Sequence, residues 1–132
     1  MDRIFLDANV LFSAAYRSDS KLRKLWELKD VKLMTSRYAL EEARINLETK
    51  EQRERLEQLV KALEIVEEHS EEKLSDEIDL PEKDRPILLA AIKAKATHLL
   101  TGDIRHFGKF FGRSVKGVLV LPPAVYFKAK GC

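Results

Sequence analysis

The spacing of apolar and polar positions changes several times along the chain, and each change marks an element. In "MDRIFLDANV" the run from Arg3 to Leu6 has strand length, and Ala8 to about Tyr16 reads as a short helix with Val10 and Leu11 facing inward. Leu22, Leu25, Trp26 and Leu28 recur at near-helical spacing behind Asp19 or Ser20, either of which can cap a second helix. "VKLMT" (31 to 35) alternates as a strand does; Ser36 then offers an N-cap for a helix carrying Leu40, Ala43 and Leu47. Between Glu51 and about Leu63, the residues Leu56, Leu59, Val60 and Leu63 fall at i, i+3, i+4 and i+7, a one-sided amphipathic helix. "EIVEEHS" reads as a short edge strand, and the acidic, aperiodic "SEEKLSDEIDLPE" (70 to 82) as a surface loop. Arg85 to Ala96 is apolar nearly all round, with Pro86 tolerated in the first turn, so this helix should lie against a sheet. "THLLT" (97 to 101), a short helix from Ile104 to Phe111, and the strand "VLVL" (118 to 121), stopped by Pro122-Pro123, complete the series.

Strands alternating with helices predict an α/β fold: a mainly parallel sheet covered by helices on both faces and joined by right-handed crossovers. A chain of 132 residues is the size of one domain and buries roughly two-thirds of its unfolded surface, so a single domain over residues 1–132 is expected. No internal repeat or low-complexity segment interrupts it. No apolar run approaches the roughly 18 residues of a membrane span. Asp2 and Arg3 lead straight into the first strand with no small-residue cleavage site behind it, which predicts a cytoplasmic protein without membrane contact.

The only cysteine is Cys132, so there is neither a disulfide framework nor a cysteine-based zinc site. A metal would have to be held by oxygen, or by His69, His98 and His106. Net charge is +2, too small for a strongly basic nucleic-acid binder, yet its distribution is uneven. Residues 1–92 hold 16 Lys/Arg and 21 Asp/Glu, whereas residues 93–132 hold 8 Lys/Arg and a single acid, Asp103. That basic segment is either a solvated face or a phosphate-binding surface.

Candidate chemistry lies at the element junctions. In an open α/β sheet, ligands bind outside the carboxyl ends of the strands. Asp7 directly follows the first strand, and Asp103 follows Leu100-Thr101 at the end of another, so both fall on that rim. Asp84 starts the apolar helix, and Glu41 or Glu42 occupies the first turns of the helix after the second strand. Each Asp taken alone also reads as a helix N-cap. Taken together, acids meeting at one rim repel each other unless a cation neutralises them, and hard oxygen clusters select Mg²⁺ or Mn²⁺. A haloacid-dehalogenase-type phosphatase also carries an Asp after its first strand, but here Asn9 stands where its second acid is required. A nucleotide-binding fold needs a glycine-rich loop there, and "DANVLFSAA" has no glycine.

The segments "FLDANVLFSA", "MTSRYALEEARINL", "LPEKDRPILLAAIKAKATHLLTGDIRHFG" and "VLVLPPAVYF" resemble, in order and over nearly the whole chain, a PIN domain, the nuclease fold of VapC-type toxins and related RNases. The resemblance implies a three-layer α/β/α sandwich and metal-dependent hydrolysis of RNA. On its pattern the catalytic, metal-holding acids fall on Asp7, Glu42, Asp84 and Asp103. Helical phase alone leaves Glu41 and Glu42 open; the family's spacing from Ser36 and to Leu47 selects Glu42. Asn9 and Thr101 match its polar helpers. Many members place another acid shortly after the Asp103 position, where this chain has Ile104-Arg105-His106-Phe107, leaving four acids. Arg105, His106, Lys109 and Arg113 are the candidates for holding substrate phosphates. The implied cofactor is Mg²⁺ or Mn²⁺, and the implied partners are an RNA substrate, an antitoxin protein and a second copy in a homodimer. Two other functions fit the same features: a PIN-like module that binds RNA or protein without cutting, and an interaction subunit docking through its N-terminal helices.

Overall fold

The computed structural model describes residues 1–67 and 73–132; His69 and the first residues of the acidic stretch lie outside the described residues. Strands β1 (Asp2–Leu6), β2 (Val31–Ser36), β3 (Glu64–Val66), β4 (His98–Leu100), β5 (Ser114–Val115) and β6 (Val118–Leu121) form one sheet in the order β3-β2-β1-β4-β6-β5. All pairings are parallel except β5 with β6. The helices are α1 (Ala8–Tyr16), α2 (Arg37–Asn46), α3 (Lys50–Val60), α4 (Arg85–Lys93), α5 (Ile104–Phe107) and α6 (Pro123–Ala129), with two 3₁₀ segments at Lys21–Glu27 and Gly108–Phe110.

The period-2 geometry of β1 divides the core. Ile4 and Leu6 point into one hydrophobic cluster with Val10, Leu11, Ala14, Leu40, Ala43 and Leu56, which places α1, α2 and α3 on that face. Phe5 points to the other, where Met34, Leu99, Ile87, Leu88 and Ala91 bury the apolar helix α4. The result is the expected three-layer α/β/α arrangement. Among the described residues, no helix is long and apolar enough to cross a membrane.

Several local outcomes differ from the sequence pattern. Lys21–Glu27 is a 3₁₀ helix rather than an α-helix: Leu22, Leu25 and Leu28 are spaced by three, the period that aligns side chains in 3₁₀ geometry. Helix α4 ends at Lys93 rather than Ala96, because Lys95 turns left-handed at φ 57°. There Ala96 N–H donates to Ala91 C=O at 3.0 Å and Lys95 N–H to Ile92 C=O at 3.0 Å, the paired bonds of a Schellman stop. Two elements escape the pattern entirely. Strand β5 is two residues long and pairs with β6 through the turn residues Lys116 (φ 52°) and Gly117 (φ 88°), whose positive angles suit a tight hairpin. Pro122-Pro123 stops β6 and also starts α6, since proline is pre-organised for a first helical turn. Tyr126 on α6 is buried and donates its hydroxyl proton to Asp2 at 2.7 Å, tying the helix to the far end of β1.

Candidate active site

The chain runs from β1 outward to β2 and β3, then returns to β4 on the other side of β1, so a crevice opens beyond the carboxyl ends of β1 and β4. Asp7 is pinned there by its backbone N–H, which donates to Leu100 C=O at 3.1 Å. A cleft of about 610 Å³ occupies this rim, and its walls include Asp7, Asn9, Glu42, Lys83, Asp84 and Asp103. Asp7 comes from the β1–α1 junction, Glu42 from α2, Lys83 and Asp84 from the entry to α4, and Asp103 from the entry to α5.

Asp7 is held by three donors. Its Oδ1 accepts from Ala8 N–H at 2.7 Å, and its Oδ2 accepts from the Thr101 hydroxyl at 2.8 Å and from Asn9 Nδ2 at 3.0 Å. Thr101 Oγ1 in turn accepts from Asp103 N–H at 3.1 Å, and Asn9 Oδ1 accepts from Gly102 N–H at 2.7 Å. This lattice ties the ends of β1 and β4 together and fixes the Asp7 carboxylate. Asp7 and Asp103 both cap helices, through Ala8 N–H and His106 N–H respectively. Asp84 does not: it precedes α4 without any side-chain capping bond.

The Asp84 carboxylate instead turns inward, with 9% of the residue exposed, and its Oδ2 is buried without a hydrogen bond. His106 Nδ1 lies 2.9 Å from that oxygen and 3.0 Å from Asp103 Oδ2. One ring nitrogen carries at most one proton, and its geometry serves Asp103. Single ligand atoms from Asp84, Asp103 and His106 lie within 4.8 Å of one another, a group that could hold a metal ion.

Electrostatics agree. Burial, with only 5% of the residue exposed, pushes the Asp7 carboxyl up to about 6, reinforced by the Asp84 and Glu42 charges and opposed by the Thr101 and Ala8 hydrogen bonds. Burial also raises Glu42, against the pull of Lys83, and raises Asp84, against the pull of His106 and Lys83. Three carboxyls are thus held above their ordinary range because desolvated negative charge accumulates in one place.

The cleft separates the two adjacent glutamates: Glu42 lines it, while Glu41 is exposed and paired with Arg44, which also holds Glu57 at 2.7 Å. Asn9 lines the cleft, and Thr101 lies buried directly behind Asp7. The basic segment after Asp103 disperses. His106 is drawn in among the acids, Lys109 pairs with Asp79 at 2.6 Å, and Arg105 and Arg113 are exposed outside the cleft wall. Sequence reasoning passed over Lys83, Phe12, Ser13 and Asn46, all of which line the cleft. Two of these carried a signal: Lys83 directly precedes Asp84, and Asn46 stands one helical turn beyond Glu42.

A mainly parallel three-layer sandwich with an acid-lined cleft at its central strand ends defines the class of this protein. The PIN domain family matches the sequence over residues 3–105, and the chain belongs to that family. Among solved structures it is similar to a chain in the crystal structure of VapBC2 from Rickettsia felis bound to a DNA fragment from their promoter. The identity is 18% and the TM-score 0.66, over 91% of this chain and 98% of that one, a likeness of fold. No curated protein matches the sequence.

Proposed function

We propose that this chain is a Mg²⁺- or Mn²⁺-dependent ribonuclease that hydrolyses RNA phosphodiester bonds, acting as the toxin of a toxin–antitoxin pair. The observation that carries the reading is the cleft shared by Asp7, Glu42, Asp84 and Asp103, with Asp84 Oδ2 buried and without a hydrogen bond. The donor set is rich in carboxylate oxygen, which suits hard divalent cations. The toxin role draws on the fold likeness to a chain of a VapBC2 assembly.

In the reaction a water oxygen bonds to phosphorus, the bond from phosphorus to the leaving ribose oxygen breaks, and a proton ends on that oxygen. Bound divalent cations supply Lewis acidity, lowering the pKa of water and neutralising charge on the phosphoryl oxygens. Asp7, Glu42, Asp84 and Asp103 would hold the ions. Thr101 and Asn9 fix the rotamer of Asp7, so the carboxylate is aimed before substrate arrives. Lys83 on the cleft wall and Arg105 on the exposed start of α5 position phosphates on either side of the scissile bond.

Single-stranded RNA incubated with the native chain should be cut with Mn²⁺ and left intact with a chelator, while Asp7→Asn and Asp103→Asn abolish cutting. Expression of the native chain in a bacterial host should arrest growth, and expression of Asp7→Asn should not. RNA binding with no cleavage by the native chain in Mn²⁺ would overturn the nuclease reading in favour of a non-cleaving PIN-like module.

A further inference from the structure

His106 occupies a place that phosphate binding does not explain. It stands in α5, three residues after Asp103, in the stretch where this chain has no further acid. Its Nδ1 is 2.9 Å from Asp84 Oδ2 and 3.0 Å from Asp103 Oδ2, and one donor atom from each of the three residues falls within 4.8 Å of the others. Two carboxylate oxygens and one imidazole nitrogen therefore converge on one point. Nδ1 is hydrogen-bonded to Asp103, while Asp84 Oδ2, at ion-pair distance from the same nitrogen, has no hydrogen bond of its own.

A cation fits that convergence. Two ligands at right angles around an ion, each about 2.1 Å from it, are about 3.0 Å apart, the separation of Nδ1 from both oxygens. Imidazole nitrogen also differs from carboxylate oxygen in the metals it favours: it suits the first-row transition ions, whereas Mg²⁺ takes oxygen and keeps its waters. We propose that His106 Nδ1 is a direct ligand of the bound cation together with Asp84 and Asp103, and that this mixed nitrogen–oxygen set takes Mn²⁺ or another first-row transition ion in preference to Mg²⁺. The imidazole stands in for the further acid that the chain lacks.

This inference rests on the cleft of the nuclease reading but is tested apart from catalysis. The full chain is loaded with Mn²⁺ alone and studied by pulsed EPR for ¹⁴N coupling, and Mn²⁺ and Mg²⁺ affinities are compared by competition. The native protein should show the coupling of a directly bound imidazole, and His106→Asp should lose it. The same variant should lower the ratio of Mn²⁺ to Mg²⁺ affinity about tenfold or more, the scale on which even groups that merely support a ligand act. Mn²⁺ bound without nitrogen coupling, no Mn²⁺ bound at all, or a ratio that His106→Asp leaves unmoved would each overturn it. Should that variant not fold, the coupling in the native protein decides alone. Mn²⁺-dependent cleavage without nitrogen coupling sinks the role of His106 and leaves the nuclease reading standing; nitrogen-coupled Mn²⁺ on a protein that cuts no RNA does the reverse.

Discussion

Replacing Asp7 by Asn separates the cost of holding a charge at the rim from every other contribution of that residue. Burial raises the Asp7 carboxyl to about 6 from its ordinary 3.8, which corresponds to roughly 3 kcal/mol of differential interaction between its two protonation states. The folded-state pKa lies above the unfolded value, so the favourable contribution is fully present below about pH 4 and is lost as pH rises through about 6. In metal-free buffer the native protein should therefore lose up to about 3 kcal/mol from this group between pH 4 and pH 8. Asn cannot ionise and escapes that loss. It keeps an acceptor for Ala8 N–H, but its NH₂ meets the Asn9 amide donor, a fixed offset of about 1 kcal/mol that does not vary with pH. Urea unfolding at several pH values in chelator gives the difference in stability between variant and native. That difference should move toward the variant by about 2 kcal/mol from pH 4 to pH 8, most of the full shift. A flat difference, or one that moves toward the native protein as pH rises, would show that Asp7 is an ordinary cap whose charge is not penalised by burial.

Further outcomes follow from the same geometry. Mn²⁺ at a hundredfold excess over its dissociation constant should stabilise the native protein by about 2.7 kcal/mol, read as a rise in melting temperature, and should leave the Asp7→Asn/Asp103→Asn double variant unmoved. Lys95→Gly should raise stability by about 1 kcal/mol in urea unfolding, because glycine carries no penalty in the left-handed stop of α4. Lys83→Ala and Arg105→Ala should each flatten the salt dependence of single-stranded RNA binding by roughly 0.7 in log K against log salt. Lys109→Ala should leave that slope unchanged, since its ammonium is already paired with Asp79. Phe5→Ala, at a fully buried site under α4, should cost about 3–5 kcal/mol in the same unfolding measurement.

Much of the architecture is local and therefore legible along the chain. The apolar runs of β1, β2, β4 and β6, the Ser36 cap of α2 and the all-round apolar α4 follow from hydrophobic period and capping chemistry between near neighbours. Once strands alternate with helices, the ends of β1 and β4 must share a rim, so the positions of Asp7 and Asp103 could be inferred without coordinates. What each side chain does there was decided by partners distant in sequence. Asp7 and Thr101 are 94 residues apart and meet only because β1 pairs with β4. Glu41 and Glu42 have the same composition around them, yet Arg44, itself paired with Glu57, holds one outside while the packing of α2 against α1 turns the other to the cleft. The basic segment reads as one surface, but Asp79 draws Lys109 away and Asp84 brackets His106 with Asp103. Local pattern sets which elements form and which end of the sheet collects acids. Only tertiary packing gives the Asp7 carboxylate three donors and leaves Asp84 Oδ2 to share one imidazole nitrogen with Asp103, because a buried polar atom's partners are supplied by whatever element happens to pack over it.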